Sequence, residues 1–216
     1  MTGVQTCALP ICRVLDALDA KGLIDNTVVL FIADHGDLMG DHGLQNKGPF
    51  HFEGLLRMPM LWRFPGRFVN RSTAALASML DVAPTLLDLA GVPIPEGPAS
   101  PEAEQQPRAW PGRSLVPVLT GRADSIQDSV IIENDEDYLG LRLRTLVTGR
   151  WKLTTYTGDN GREPYGELFD LKNDPSELTN LWTDARYRET KTELIETLMY
   201  RLIETDIAVP RRLGHA

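Results

Sequence analysis

The sequence predicts an α/β fold: part of a mostly parallel sheet flanked by helices, followed by a small α+β subdomain with an antiparallel sheet and a long C-terminal helix. Two observations carry this expectation. Residues 13–92 run helix, strand, loop, strand, helix, and the first strand, TVVLFIA (27–33), is continuously apolar after Thr27, as strands covered on both faces of a parallel sheet are. From residue 126 the pattern changes to short alternating runs that close on one long amphipathic segment, the order of an antiparallel sheet followed by a helix.

Each element follows from local chemistry. Val14, Leu15, Leu18, Leu23 and Ile24 outline a short amphipathic helix that ends near Gly22, a usual C-terminal stop. Helical patterning begins abruptly at Arg13. Residues 1–12, MTGVQTCALPIC, resemble translated adapter sequence, so they are expected to be non-native, with the true chain extending upstream. Cys7 and Cys12 form neither a CxxC pair nor a zinc knuckle and do not indicate a redox compartment. After TVVLFIA comes a polar, glycine-rich loop from Asp34 to Gly48, then MPMLWRFPG (58–66), a second buried strand closed by a Pro-Gly turn. SMLDVAPTLLDLAGV (78–92) has helical spacing at Leu80, Val82, Leu86, Leu87 and Leu89 and stops at Gly91. Residues 93–125 form a Pro-rich loop or linker with a short helix at 114–120. The subdomain 126–216 then holds strands at 129–134, 141–148, 150–157 and 167–171, with turns at Gly149 and between Gly158 and Gly161. A helix over 186–206 places Leu194, Leu198, Leu202 and Ile203 on one face.

A net charge of -8 over 216 residues argues against a nucleic-acid or anionic-membrane partner, because both need a basic face to displace counterions. No run approaches the roughly 18 apolar residues that a membrane span needs. The N-terminus lacks the basic start and long apolar centre of a secretory signal, and periplasmic, secreted and cytoplasmic locations all stay open. Oligomeric state is not legible in the sequence.

The chemistry concentrates in residues 34–53. Asp-His-Gly occurs twice, as Asp34-His35-Gly36 and Asp41-His42-Gly43. The first copy stands where an apolar strand ends, and in α/β sheets ligands bind beyond the carboxyl ends of strands. A carboxylate beside an imidazole offers a hard oxygen and a borderline nitrogen to a divalent cation, while Gly36 lets the chain turn away. A plain structural reading competes: Asp34 capping backbone amides in a turn and His35 at the surface. That reading is stronger for the second copy, which has no strand before it. Lys47 could supply a compact positive charge for an anionic substrate, and His51 could serve as proton donor to a leaving group. Glu53 and Arg57, four apart, could form an ion pair that braces the loop.

The run TVVLFIADHGDLMGDHGLQNKGPFHFEGLLRMPMLWRFPG (27–66) resembles the metal- and substrate-binding segment of the sulfatases, in the alkaline phosphatase superfamily. SMLDVAPTLLDLAGVPIP resembles the helix that follows it in that family, and RTLVTGRWKL with ELFDLKNDPSELTNL its C-terminal subdomain, so the resemblance covers about residues 13–206. It implies an alkaline phosphatase-like fold for residues 13–92. It also implies that Asp34 and His35 are two ligands of one divalent cation, usually calcium, with magnesium or manganese as alternatives, and that Lys47 contacts the sulfate. His51 falls near the substrate in this likeness, and the second triplet is loop scaffold. The implied partner is a small-molecule or glycan sulfate ester.

The departures are equally specific. Sulfatases carry a further pair of acidic metal ligands and a CxPxR-type motif whose Cys or Ser becomes the formylglycine nucleophile; neither Cys7, followed by Ala-Leu-Pro, nor Cys12, followed by Arg-Val-Leu, fits it. The chain resembles the C-terminal 40% or so of a sulfatase, and is expected to be inactive alone. Two alternatives stand beside this reading: a phosphodiesterase or phosphonate monoester hydrolase of the same superfamily, and a non-catalytic binding domain.

Overall fold

The computed structural model describes residues 12–94, 110–137, 139–157 and 165–205 in full, and the backbone of residues 3–11 and 158. Its elements are α1 (Gly3–Ala20), β1 (Val29–Ile32), α2 (Glu53–Leu56), β2 (Met60–Arg63), α3 (Val82–Leu89), α4 (Val116–Leu119), β3 (Ser129–Glu136), β4 (Leu141–Thr148), β5 (Trp151–Gly158), β6 (Tyr165–Asp170) and α5 (Arg188–Thr205). Most of the expected Pro-rich loop and the turn between Gly158 and Gly161 lie outside the described residues.

The expected mostly parallel sheet is corrected. Among the described residues β1 and β2 form a two-stranded antiparallel pair, with Val29 opposite Arg63 and Ile32 opposite Met60. An unbroken apolar run says that both faces of a strand favour cover; it does not say which way the neighbour runs. Direction is set by the connection, and a parallel pair needs a crossover, usually helical. Here residues 33–59 contain only a 3₁₀ turn, Asp41–Gly43, and the one-turn α2, and fold onto another sheet instead. The pair is also only half covered: Phe31 and its cross-strand neighbour Leu61 are exposed.

α1 continues from Gly3 across Arg13, longer than the expected 13–22, and closes where predicted. Gly22 has φ of 65°, and its N–H and that of Leu23 donate to the carbonyls of Asp19 and Leu18. The helix expected over 78–92 divides into a 3₁₀ turn, Met79–Asp81, and α3. Ser78 and Asp81 make reciprocal capping bonds at its start, and Gly91 at φ 67° ends it. Its buried face is not the leucine stripe: Leu80 and Leu86 are exposed, whereas Pro84 and Thr85 are buried. Polar bonds explain the difference. Thr85 donates to Asp81 O and accepts from Leu115 N, and the buried Asp81 carboxylate accepts from Arg113 N at 2.8 Å and Gln127 Nε2 at 2.8 Å. Those bonds pin residues 111–127 across α3.

The C-terminal sheet follows expectation. β3, β4, β5 and β6 are joined in that order, each antiparallel to the next. Leu146, Leu153 and Leu168, from three adjacent strands, meet Leu194 and Leu198 of α5 on one face. Leu202 packs against this cluster, but Ile203, expected on the same face, is exposed. The opposite face is covered by the loop after β1: Phe169 of β6 packs with Leu38, Phe52 and Leu55. The sheet therefore has a helix on one side and the chemically rich loop on the other. Among the described residues no helix is long and apolar enough to cross a membrane.

Candidate functional site

The loop that starts beyond Ile32 is anchored by backbone rather than by regular structure. Gly36 N donates to Leu55 O at 2.9 Å, and a Cβ added at Gly36 would stand 1.9 Å from Gly54 O. Two backbones touch there, and only glycine permits it. Farther along, Leu38 N bonds Asn46 O, Gly40 N bonds Leu44 O and Asp41 N bonds Leu38 O, closing a knot in which Met39, His42 and Asn46 all have positive φ.

Three of the four residues singled out from the sequence come together at the head of this loop. Asp34 Oδ1 accepts the N–H of His35 at 2.9 Å. That bond, with the neighbouring imidazole, holds the Asp34 carboxyl below its ordinary pKa, so it is ionised near neutrality. His35 Nδ1 lies 2.7 Å from Gly36 O. A carbonyl only accepts, so Nδ1 carries the ring proton and Nε2 presents a lone pair. Lys47 Nζ donates to that Nε2 at 3.1 Å, and Asp34 Oδ2 lies 3.7 Å from it. The Asp34 side chain is 86% exposed and that of His35 43%, so the group faces outward.

This donor set fits one divalent cation in part. A carboxylate oxygen and an imidazole nitrogen of fixed tautomer converge, and the backbone carbonyl on the other ring nitrogen is the support that metal-bound histidines ordinarily have. Among the described residues no cluster of three or more His, Cys, Asp or Glu side chains is placed to hold a metal ion. Lys47 brings a positive charge to the same point, suited to an anion bound beside the cation.

The second triplet has another use. The His42 ring stacks on Phe52 with centroids 3.8 Å apart, and a Cβ on Gly54 would meet Asp41 Oδ2 at 2.9 Å. Both side chains face the base of the loop.

His51 stands apart from the other three. It is 4% exposed, with Nδ1 2.7 Å from Thr145 Oγ1, which in turn lies 2.7 Å from Thr154 Oγ1. Burial, and then the charges of Lys152 and Arg144, push its pKa down to about 4. Its ring therefore faces β4 and not the Asp34 group. The expected Glu53–Arg57 brace is corrected. α2 is a single turn whose C-cap, Arg57, has left helical geometry, and the Glu53 carboxylate lies 3.6 Å from Lys152 Nζ instead.

Sequence reasoning passed over Thr145, Thr154, Lys152 and Glu177. In LRLRTLVT and RWKLTTYT the first three alternate with apolar residues and read as the solvent face of a sheet, while Glu177 sits in a polar turn after β6; in the structure that sheet face lies under the loop. A cleft of about 540 Å³ between α5 and the start of β3, lined by Arg113, Gln127, Thr197, Tyr200 and Arg201, shares no residue with the Asp34 group.

Comparison with known proteins gives a consistent result. Residues 40–204 match the family described as N-sulphoglucosamine sulphohydrolase, C-terminal. A choline-sulfatase of Rhizobium meliloti is 35% identical over 175 residues, 81% of this chain and 30% of that protein. An N-acetylglucosamine-6-O-sulfatase of Bacteroides thetaiotaomicron is 31% identical, covering 86% of this chain and 32% of the relative. Among solved structures, one in complex with its substrate D-glucosamine-2-N,6-O-disulfate superposes with a TM-score of 0.76 at 27% identity, over 94% of this chain and 40% of the other. The phosphonate monoester hydrolase of Agrobacterium radiobacter superposes with a TM-score of 0.74 at 28% identity, over 89% and 38%. The chain thus spans about a third of the length of the curated relatives it matches.

Proposed function

Because the chain belongs to the sulfatase family, within the alkaline phosphatase superfamily, we propose that residues 34–47 supply part of the catalytic centre of a sulfate ester hydrolase. The observation that carries this is the convergence of Asp34 Oδ2 and Lys47 Nζ on the proton-free Nε2 of His35. A bound divalent cation, calcium by family likeness, supplies Lewis-acid neutralisation of the sulfate oxygens. Asp34 and His35 would hold it, Asp34 as the ionised oxygen donor and His35 through Nε2. Gly36 O keeps the imidazole in the required tautomer. Lys47 places its ammonium on a sulfate oxygen, which steadies the ester and draws an anion to an acidic protein. His51 has a buried neutral ring that fastens the loop to β4 rather than a proton to give.

The substrate class is a sulfate ester of a small molecule or a sugar, supported by relatives named for choline and N-acetylglucosamine sulfate. The nucleophile is a formylglycine that these 216 residues do not encode, since they contain no CxPxR-type run. The chain by itself is expected not to turn over an aryl sulfate; hydrolysis above that of Lys47→Ala would overturn this. A second reading, phosphonate monoester hydrolysis, is favoured by the Agrobacterium structure. Joining the chain to a nucleophile-bearing half and comparing aryl sulfate with phenyl phosphonate as substrate separates the two.

A further inference from the structure

Lys152 and Glu177 are buried charged residues that the catalytic reading leaves unused. Lys152, on β5, has no exposed surface, and Glu177, in the turn after β6, is 4% exposed. The two side chains are in contact as an ion pair. Glu177 also adopts φ of 55°, a left-handed conformation that costs a non-glycine residue energy and persists only where the surroundings enforce it. Glu177 closes a turn in which its N–H donates to Asp174 O, and its carboxylate is divided: Oε1 faces Lys152 Nζ, while Oε2 accepts the backbone N–H of Glu53 at 2.7 Å.

From Glu53 the path to the loop head is short. Glu53 opens α2, and Leu55 in the same turn accepts the N–H of Gly36 at 2.9 Å. Gly36 O then receives the Nδ1 proton of His35 at 2.7 Å. Three hydrogen bonds, each with a backbone group on at least one side, connect a buried ion pair of the C-terminal subdomain to the imidazole at the head of the loop.

We propose that Glu177 and Lys152 are positioning residues for His35: the ion pair holds α2, α2 holds Gly36, and Gly36 holds the imidazole in the orientation and tautomer that make Nε2 an acceptor, held by Lys47 here and open to a cation once Lys47 turns to an anion. The proposal rests on reading Asp34 and His35 as cation ligands, but its structural links stand independently of that reading. The device suits a loop without regular hydrogen bonding of its own, because a buried ion pair tolerates little displacement once both charges have left water.

The experiment uses the 216-residue chain with Glu177→Gln, the double variant Glu177→Leu with Lys152→Met, and Leu198→Ala as a control on the opposite face of the sheet. The double variant removes both charges of the buried pair and leaves only the partly exposed Glu53 without its cation, so it stays folded if the single one does not. Amide hydrogen exchange is read at Gly36 and at Leu153, and the ring ¹⁵N shifts of His35 report its tautomer. The double variant is expected to accelerate exchange at Gly36 by about tenfold relative to Leu153, and to mix the His35 tautomers. Leu198→Ala should change both amides together. Unchanged Gly36 protection relative to Leu153, with the Nδ1–H tautomer intact, would overturn the proposal. A Mn²⁺ titration of the wild type, followed by broadening of the His35 ring signals, tests the cation reading separately: no broadening sinks that reading while the exchange data still decide the positioning claim.

Discussion

The two faces of the β3–β6 sheet are built on different physics. One face presents Leu146, Leu153 and Leu168 to Leu194 and Leu198 of α5, a mainly apolar contact with Arg201 at its edge reaching Ser129 O. The other presents Thr145, Thr154, Lys152 and Phe169 to the loop after β1, and is held by hydrogen bonds and an ion pair as much as by apolar area. The apolar face tolerates rearrangement, since burial is non-directional. The polar face does not, because each buried donor or charge is costly without its partner. That contrast suits the tasks: the helix face only has to hold, whereas the loop face has to hold Asp34, His35 and Lys47 in register.

The sharpest way to break the comparison is on the polar face. Glu177→Ala strips Lys152 of its contacting partner in a dry environment and is expected to cost about 4 kcal/mol in urea denaturation. Leu153→Ala, its counterpart on the helix face, is expected to cost about 3 kcal/mol and to leave the Gly36 amide no worse protected than its neighbours. If the leucine variant instead loosens Gly36 selectively, the two faces are not distinct.

A pH titration refines the contrast. Folding lowers the pKa of His51 from its ordinary 6.5 to about 4, so between those values the unfolded chain binds a proton that the folded chain refuses. The stability due to neutral His51 is complete above about pH 6.5 and is lost as pH falls toward 4, by about 3 kcal/mol in all. His51→Gln keeps a partner for Thr145 and should flatten this acid limb; an unchanged slope would place the lost proton elsewhere. The smallest effect on stability belongs to Asp34→Ala. Its side chain is exposed, so the urea midpoint should stay where it is while cation binding disappears.

How much of this was legible follows the same division. Strands β3 to β6 and α5 were readable because alternation and a 3.6-residue period are written into the residues themselves. The direction of β1 against β2 was not, since it depends on where residues 33–59 travel. Asp34, His35 and Lys47 were legible as a motif, and the structure brings them together. The burial of His51 was not legible, because an imidazole near a charged loop looks the same in sequence whether it faces solvent or Thr145. Lys152 and Glu177 were invisible for a related reason: a lysine alternating along a strand signals water, and only the loop folded over it makes it buried.

The central claim is that Asp34 and His35 are a pair of cation ligands held ready by the loop. Calcium titration by calorimetry, with Mn²⁺ broadening of the His35 ring as the site-specific readout, tests it most directly. The account predicts weak binding that broadens His35 and is abolished by Asp34→Ala. Tight binding that Asp34→Ala leaves unaffected would contradict it.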